Sequence, residues 1–183
     1  MADKKHYIMT SVTLGAIAAA SGLIIGLTNL ITKDQIAKNE KNKINAGISE
    51  IYGKNATISK EYAFNDDEIK YVEYVYEIGS DAEEDKYIFR TTGSNMYGKV
   101  SLLVGVNYIA TPASEEKAAV YQGVYVIVNE QTYASTLVDN YINPLNDGLR
   151  NLDDTSCGAT YGATLVKNMV NEAMKAAEKL GKE

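Results

Sequence analysis

The longest apolar run of the chain lies near its N-terminus. Residues 6–32 contain no Asp, Glu, Lys or Arg, and Lys5 and Lys33 flank this 27-residue run. As an α-helix the run would measure about 40 Å, which exceeds the roughly 30 Å of a bilayer core. A cleaved signal peptide has a shorter apolar region and a small-residue cleavage site, and residues 29–33 are a poor cleavage context. The pattern therefore predicts one retained membrane span.

The centre of this run is rich in small residues. Gly22 and Gly26 are four positions apart and would lie on one helix face. Small residues let two helices approach closely in lipid, where no hydrophobic force drives helices together. We therefore expect this face to pack against partner membrane subunits, with a lone alanine-rich anchor as the alternative. Lysines on both sides of the run leave its orientation undecided by the positive-inside rule.

A helical pattern continues beyond the apolar run. Four isoleucines recur at spacings compatible with one helix face, namely Ile36, Ile44, Ile48 and Ile51. Lys, Asn and Glu residues fill the positions between them. This pattern predicts a juxtamembrane helix over residues 34–52, which Gly53 ends.

Runs rich in β-branched and aromatic residues follow this helix. They cover residues 69–78, 86–92, 100–107 and 118–129. Runs of this composition, joined mostly by short turns, predict the strands of a twisted antiparallel sheet. The run over residues 100–107 is apolar almost throughout, which indicates a strand buried on both faces. Between the strands, residues 81–85 predict a solvated acidic turn and residues 111–116 predict a loop.

Helical periodicity returns after the last strand. Residues 133–141 predict a short helix, residues 143–148 predict a loop, and seven apolar residues between Leu165 and Leu180 fall on one helical face. This last pattern predicts an amphipathic closing helix packed on the sheet. Helices before and after an antiparallel sheet make the fold class α+β. The expected organisation is a tip and single transmembrane helix over residues 1–33, a juxtamembrane helix over 34–52, and one domain over 53–183.

Composition and charge narrow the function classes. The chain has 18 Lys and Arg against 24 Asp and Glu, a net charge of −6, which argues against an electrostatic nucleic-acid binder. The single cysteine, Cys157, rules out an intrachain disulfide and a cysteine cluster for a metal. The single histidine, His6, lies at the start of the apolar run, which nearly excludes histidine-based catalysis in the domain. We therefore expect no metal site and no enzyme acting alone.

The stretch that most strongly suggests a functional site directly precedes the closing helix. It reads Asp154-Thr155-Ser156-Cys157-Gly158-Ala159-Thr160. Gly158 and Ala159 leave space around the hydroxyl of Thr160 at the predicted helix start. Unpaired backbone N–H groups and a partial positive charge at a helix start favour a phosphate. An ordinary N-cap threonine is the alternative interpretation of Thr160.

This stretch resembles the acceptor motif Asp-x-x-Ser/Thr-Gly-Ala-Thr of the FMN-binding domain family. In that family a flavin transferase attaches FMN through its phosphate to the last threonine, so the resemblance implies covalent FMN on Thr160. Cys157 stands where the family usually has serine or threonine. A second Gly-Ala-Thr ends at Thr164, but only Thr160 has an aspartate six residues upstream, which is Asp154. Thr164 is therefore the second candidate for the attachment.

Two further segments resemble the same family. Residues 98–106 are similar to its glycine-plus-strand signature, and residues 129–135 occupy the place of its Glu-Thr-Pro-Gly loop beside the flavin. In that loop Thr132 fits the pattern, whereas Gln131 and Tyr133 replace the acid and the proline. The resemblance implies a flavin site formed by Gln131, Thr132 and Tyr133 together with Asp154, Cys157, Gly158 and Ala159.

Several residues near this site have alternative interpretations. Tyr133 and Tyr161 are the candidates for contact with the flavin ring, whereas five strand tyrosines are expected to pack in the core, namely Tyr71, Tyr74, Tyr76, Tyr121 and Tyr125. We expect Cys157 to be a small buried replacement for serine, with a redox thiol as the alternative. Asp154 either assists the metal-dependent chemistry of the transferase or ends the loop.

The segment over residues 30–37 is similar to the G subunit of Rnf electron-transport complexes. This resemblance implies an extracytoplasmic domain, held at the cell membrane by a single span, that relays electrons within an ion-translocating ferredoxin:NAD complex. The related C subunit of the sodium-pumping NADH:quinone reductase ranks lower because it is usually longer. The implied partners are other membrane subunits and a flavin transferase. A stand-alone carrier for extracellular electron transfer and a non-redox anchored scaffold are the alternatives.

Overall fold

The chain divides into two compact units, Met1–Asn42 and Lys43–Glu183. The computed structural model describes residues 2–79, 84–110 and 117–181. The loop predicted over residues 111–116 and most of the acidic turn predicted over residues 81–85 lie outside the described residues. Each unit is considered by itself below.

The first unit consists of the greater part of helix α1, which spans Ala2–Tyr52. The helix is long and apolar enough to cross a membrane, and none of its apolar window is buried. Leu23 and Leu30, for example, are 63% and 72% exposed. A helix belonging to a soluble core would bury such side chains. The helix is therefore consistent with the single membrane span that the sequence predicts.

A five-stranded antiparallel sheet forms the centre of the second unit. Its strands follow in sequence order: β1 (Ile58–Ala63), β2 (Val72–Ile78), β3 (Glu84–Asn95), β4 (Gly98–Ala110) and β5 (Lys117–Asn129). Each strand pairs with the next in antiparallel register. The predicted α+β class with an antiparallel sheet is confirmed. Strand β1 was not predicted, because its sequence Ile-Ser-Lys-Glu-Tyr-Ala carries few apolar residues.

Four helical segments follow the sheet. They are α2 (Ala134–Leu137), a π-helical turn (Val138–Ile142), α3 (Asn143–Asn146) and α4 (Thr160–Leu180). Pro144 lies in the first turn of α3, which continues directly from the π-helical turn, and it has no N–H to donate back to that turn. The prediction of a loop over residues 143–148 is therefore wrong for residues 143–146. The predicted closing helix is present as α4.

Apolar side chains cover both faces of the sheet. On one face α4 contributes Val166 and Met169 to the core, and on the other face α1 contributes Ile44 and Ile48. All residues from 100 to 108 in β4 are buried between these two layers. The prediction of a central strand buried on both faces is confirmed. Because the sheet is packed on both faces, the loops attached to the ends of its strands are held in fixed positions.

A buried tyrosine ties the loop before α4 to the helical segment after β5. The Tyr141 hydroxyl donates a hydrogen bond of 2.6 Å to the carbonyl oxygen of Leu152, and Tyr141 is fully buried. Burial raises the pKa of Tyr141 to about 12, because a phenolate would lose its solvation there. The loop that leads to Thr160 is therefore anchored in the core.

Replacing Tyr141 with Phe should lower the free energy of unfolding by about 1 kcal/mol, because this hydrogen bond is lost. In the native chain, Tyr141 contributes stability that is present below its unfolded pKa of 10.0 and is lost as the pH rises towards about 12. Thermal unfolding measured from neutral to alkaline pH should therefore show a shallower alkaline loss for Tyr141→Phe. An identical alkaline loss in both chains would contradict this account.

Candidate functional site

An open pocket of about 260 Å³ lies at the start of α4. Its walls come from the β3–β4 turn, the segment from the end of β5 into α2, and the loop that enters α4. Six of its lining residues were predicted from the sequence, namely Gln131, Tyr133, Gly158, Ala159, Thr160 and Tyr161. Sequence reasoning missed Tyr97, Leu137 and Gly162. The pocket thus brings together residues from three separate parts of the chain.

Thr160 is the first residue of α4, and it is exposed. Ala159 occupies the N-cap position, and no side chain caps the helix. The interpretation of Thr160 as an N-cap residue is therefore wrong. In the part of the chain that the structure describes, the Thr160 hydroxyl makes no hydrogen bond. This hydroxyl is accessible to a reagent that enters the pocket.

The first turn of α4 leaves backbone N–H groups available to an anion. The first main-chain hydrogen bond at this end runs from Ala163 N to Ala159 O, at 2.9 Å. The N–H groups of residues 160–162 precede it and receive no capping side chain. Gly158 has a φ of +84°, a left-handed conformation that favours glycine, and this residue turns the chain into the helix. An uncapped helix start with its positive dipole end is suited to a phosphate.

Thr164, the threonine of the second Gly-Ala-Thr, lies one turn further into α4. Its hydroxyl donates a hydrogen bond of 2.8 Å to the carbonyl oxygen of Thr160. Such a bond back to the preceding turn is common for threonine inside helices. Thr164 does not line the pocket. The geometry therefore favours Thr160 over Thr164 as the modified residue.

Three tyrosine rings surround the pocket. The rings of Tyr97 and Tyr161 lie 5.3 Å apart between centroids, with an angle of 36° between their planes. Tyr161 is 65% exposed, and Tyr133 is 56% exposed. Exposed aromatic faces beside a pocket are suited to contact with a planar ring. The strand tyrosines do not line the pocket. Four of the five belong to the core clusters or pack against them, whereas Tyr74 is 38% exposed, so the prediction of core packing is wrong for Tyr74.

Gln131 lines the pocket but is itself buried, with 7% of its surface exposed. Its side-chain Nε2 donates hydrogen bonds to Asn95 Oδ1, at 3.1 Å, and to the carbonyl oxygen of Gly98. Its backbone N donates to Asn129 Oδ1 at 3.2 Å. These bonds hold the segment after β5 against the β3–β4 turn.

Two predicted site residues, Thr132 and Cys157, lie outside the pocket wall. Thr132 is exposed, and its hydroxyl donates a long hydrogen bond of 3.4 Å to the carbonyl oxygen of Tyr97. Cys157 is buried, as expected for a small replacement of serine. Its carbonyl oxygen accepts a hydrogen bond of 3.1 Å from Asn140 Nδ2. Both residues therefore stabilise the segments that form the wall.

Asp154 also lies outside the pocket wall, within the loop before α4. Its Oδ1 accepts a hydrogen bond of 3.2 Å from the backbone N of Ser156, and its Oδ2 lies 3.0 Å from Nη1 of Arg150. The same Nη1 donates to the carbonyl oxygen of Asp154 at 2.9 Å. These contacts support the interpretation that Asp154 shapes the loop. Among residues 2–79, 84–110 and 117–181, no cluster of His, Cys, Asp and Glu could hold a metal ion.

The fold and the pocket define a class of protein: an α+β module, preceded by a helix long and apolar enough to cross a membrane, with an exposed hydroxyl at a helix start and tyrosine rings beside it. Residues 1–51 match the family model described as the RnfG N-terminal region. The predicted resemblance to the G subunit of Rnf complexes is thereby confirmed for this N-terminal segment. The matched segment covers nearly all of α1, including its apolar run, and the residues that line the pocket lie outside it. No curated protein and no solved structure matches the chain.

Proposed function

We propose that the chain carries one FMN, bound covalently through its phosphate to Thr160 Oγ, and relays electrons as a subunit of an Rnf-type complex. The observation that carries this proposal is the exposed Thr160 hydroxyl at an uncapped helix start inside the pocket. The acceptor-like stretch ending at Thr160 supports the covalent bond. The RnfG-like N-terminal region supports the complex.

The attachment requires an activated flavin phosphate. The Thr160 oxygen forms a bond to the phosphorus of the FMN half of a flavin pyrophosphate such as FAD. The P–O–P bond breaks, adenosine monophosphate leaves, and the threonine proton passes to a base supplied by the transferase. The product phosphodiester keeps one negative charge, which the N–H groups of residues 160–162 would stabilise by roughly 0.3–1 kcal/mol at an exposed site.

The residues of the pocket fit a flavin that is only partly enclosed. The volume of about 260 Å³ is just below the roughly 300–1,000 Å³ typical of enclosed ligand sites. Tyr97, Tyr133 and Tyr161 would contact the ring system, and the remainder of the ring would stay accessible to a redox partner. The flavin supplies the electron transfer when bound, whereas the protein supplies attachment, orientation and electrostatics.

The membrane anchor has a physical role in this proposal. Tethering confines the flavin near partners that are fixed in the same membrane and so raises its effective concentration. The face with Gly22 and Gly26 is the proposed contact with other membrane subunits. We assign residues 1–33 to the cytoplasmic tip and span, residues 34–52 to the juxtamembrane helix, and residues 53–183 to an extracytoplasmic FMN-binding domain.

The proposal is tested by flavin fluorescence of the denatured chain in a gel. The full chain is produced in cells with and without a flavin transferase, and equal amounts of stained protein are compared. We expect a fluorescent band only when the transferase is present, because denaturation removes any flavin that is not covalently bound. A dark band from cells that carry the transferase would contradict the proposal and would leave the non-redox scaffold as the better account.

A further inference from the structure

We propose that Gln131 is a positioning residue whose side-chain oxygen accepts a hydrogen bond from the bound flavin. The inference rests on the proposed function, because it assigns a contact within the same pocket. Gln131 is more than nine-tenths buried and nevertheless lines that pocket.

The surrounding hydrogen bonds fix the orientation of the Gln131 amide. Its Nε2 donates to two oxygens, Asn95 Oδ1 and the carbonyl oxygen of Gly98. The Asn95 amide is itself oriented, since its Oδ1 also accepts from Tyr97 N at 2.8 Å and its Nδ2 donates to the carbonyl oxygen of Tyr161 at 3.2 Å. Reversing the Gln131 amide would lose two hydrogen bonds and place its oxygen against two other oxygens.

This orientation leaves Gln131 Oε1 facing the first turn of α4. A Cβ atom placed on Gly162 would lie 3.3 Å from Oε1. In the described parts of the chain, no donor group forms a hydrogen bond with Oε1, and no side chain caps α4 with a hydrogen bond. Oε1 is not among the fully buried side-chain atoms that lack a partner, so it is accessible from the pocket. The pocket therefore presents one oriented acceptor to whatever binds there.

An oriented amide oxygen selects the chemistry of its partner. It repels phosphate oxygens and ring carbonyls, and it attracts N–H and O–H groups. FMN carries two groups of this kind: the imide N–H of its ring and the hydroxyls of its ribityl chain. Gln131 therefore contacts the flavin at one of these donor groups and not at the phosphate oxygens.

The same geometry explains why an amide is present where the resembling loop has an acid. A carboxylate at residue 131 would have no Nε2 donors for Asn95 Oδ1 and Gly98 O. It would also bring a negative charge close to both oxygens in a partly desolvated site. Gln131 retains the acceptor oxygen and adds the donors that hold it in place.

The test observes the flavin itself in the full-length chain. A riboflavin-requiring strain that carries the transferase is grown on riboflavin labelled with ¹⁵N at the ring imide and ¹³C in the ribityl chain. Gln131→Met removes the acceptor at nearly constant size, and Gln131→Leu, which also lacks this oxygen, is the second variant if Gln131→Met does not fold. Ser135→Ala is the matched control, since Ser135 is an exposed residue of α2 that does not line the pocket.

We expect the variant to fold and to carry FMN, as measured by circular dichroism and intact mass, while one labelled resonance moves and the Ser135→Ala spectrum does not. Movement of the imide nitrogen identifies the ring N–H as the donor, and movement of a ribityl carbon identifies a hydroxyl. A folded, loaded variant in which neither label moves would overturn the role of Gln131. Absence of FMN from the unmodified chain would instead overturn the proposed function.

Discussion

Replacing Thr160 with Val should abolish the covalent flavin, whereas replacing Thr164 with Val should leave it in place. Thr160 has an exposed hydroxyl in the pocket that makes no hydrogen bond within the described residues, and valine removes this nucleophile at constant shape. Thr164 has its hydroxyl bonded inside α4 at 2.8 Å. The two variants are matched in chemistry and differ only in position. In-gel flavin fluorescence of the denatured chains, at equal protein amounts, measures the effect.

The substitution of Thr160 with Ser provides a further control. Serine keeps a hydroxyl at the first position of α4, so we expect Thr160→Ser to retain part of the fluorescence that Thr160→Val loses. Circular dichroism should show equal helix content in all three variants, because residues 160 and 164 are both exposed. A fluorescent band that persists in Thr160→Val and disappears in Thr164→Val would move the attachment to Thr164 and contradict the present assignment.

Replacing Gly98 with Ala should cause the largest loss of stability. Gly98 has a φ of +135°, and a Cβ atom there would lie 2.1 Å from the carbonyl oxygen of Glu130. Residues other than glycine rarely adopt this backbone conformation, and the segment after β5 would have to move. Strain and overpacking together predict a loss of roughly 2–5 kcal/mol. Thermal unfolding of the detergent-solubilised chain, followed by near-ultraviolet circular dichroism, measures it.

Gly148 offers the matched control for this substitution. It also has a positive φ, +69°, but a Cβ atom there would meet nothing within 4 Å. Gly148→Ala therefore carries the backbone strain alone, and we expect a loss of about 1 kcal/mol. If Gly98→Ala destabilises the chain no more than Gly148→Ala, the close contact between the β3–β4 turn and Glu130 is not present in solution.

Local sequence patterns predicted most of the helices and strands, but they missed strand β1 and helix α3. The β-branched and aromatic runs located β2, β3, β4 and β5, because these strands are buried against helices and their composition reflects that burial. Strand β1 lies at the edge of the sheet and is largely exposed, so its sequence carries no clear alternation. The segment over residues 143–146 reads as a loop locally, and its helical form extends the turn that precedes it.

The candidate site was only partly predictable for a different reason. Residues 158–161 adjoin one another in the motif, so a single local pattern identified them. Tyr97, Leu137 and Gly162 line the pocket through the pairing of distant segments, which no local pattern encodes. Tyr97 directly precedes the family-like segment over residues 98–106, and this position was the one available signal.

The role of Gln131 could not be predicted from a local sequence pattern either. In the sequence, Gln131 stands where the resembling loop has an acidic residue, and the neighbouring residues do not explain this difference. Its hydrogen bonds to Asn95 and Gly98 join residues that are more than thirty positions away in the chain. The reason for an amide becomes visible only when the β3–β4 turn and the segment after β5 are side by side.

The most direct test of the central claim is the intact mass of the native chain from cells that carry a flavin transferase, followed by mapping of the modified peptide. The account predicts one added FMN, less one water, on the peptide that contains Thr160. An unmodified mass, or an FMN on a peptide without Thr160, would contradict it.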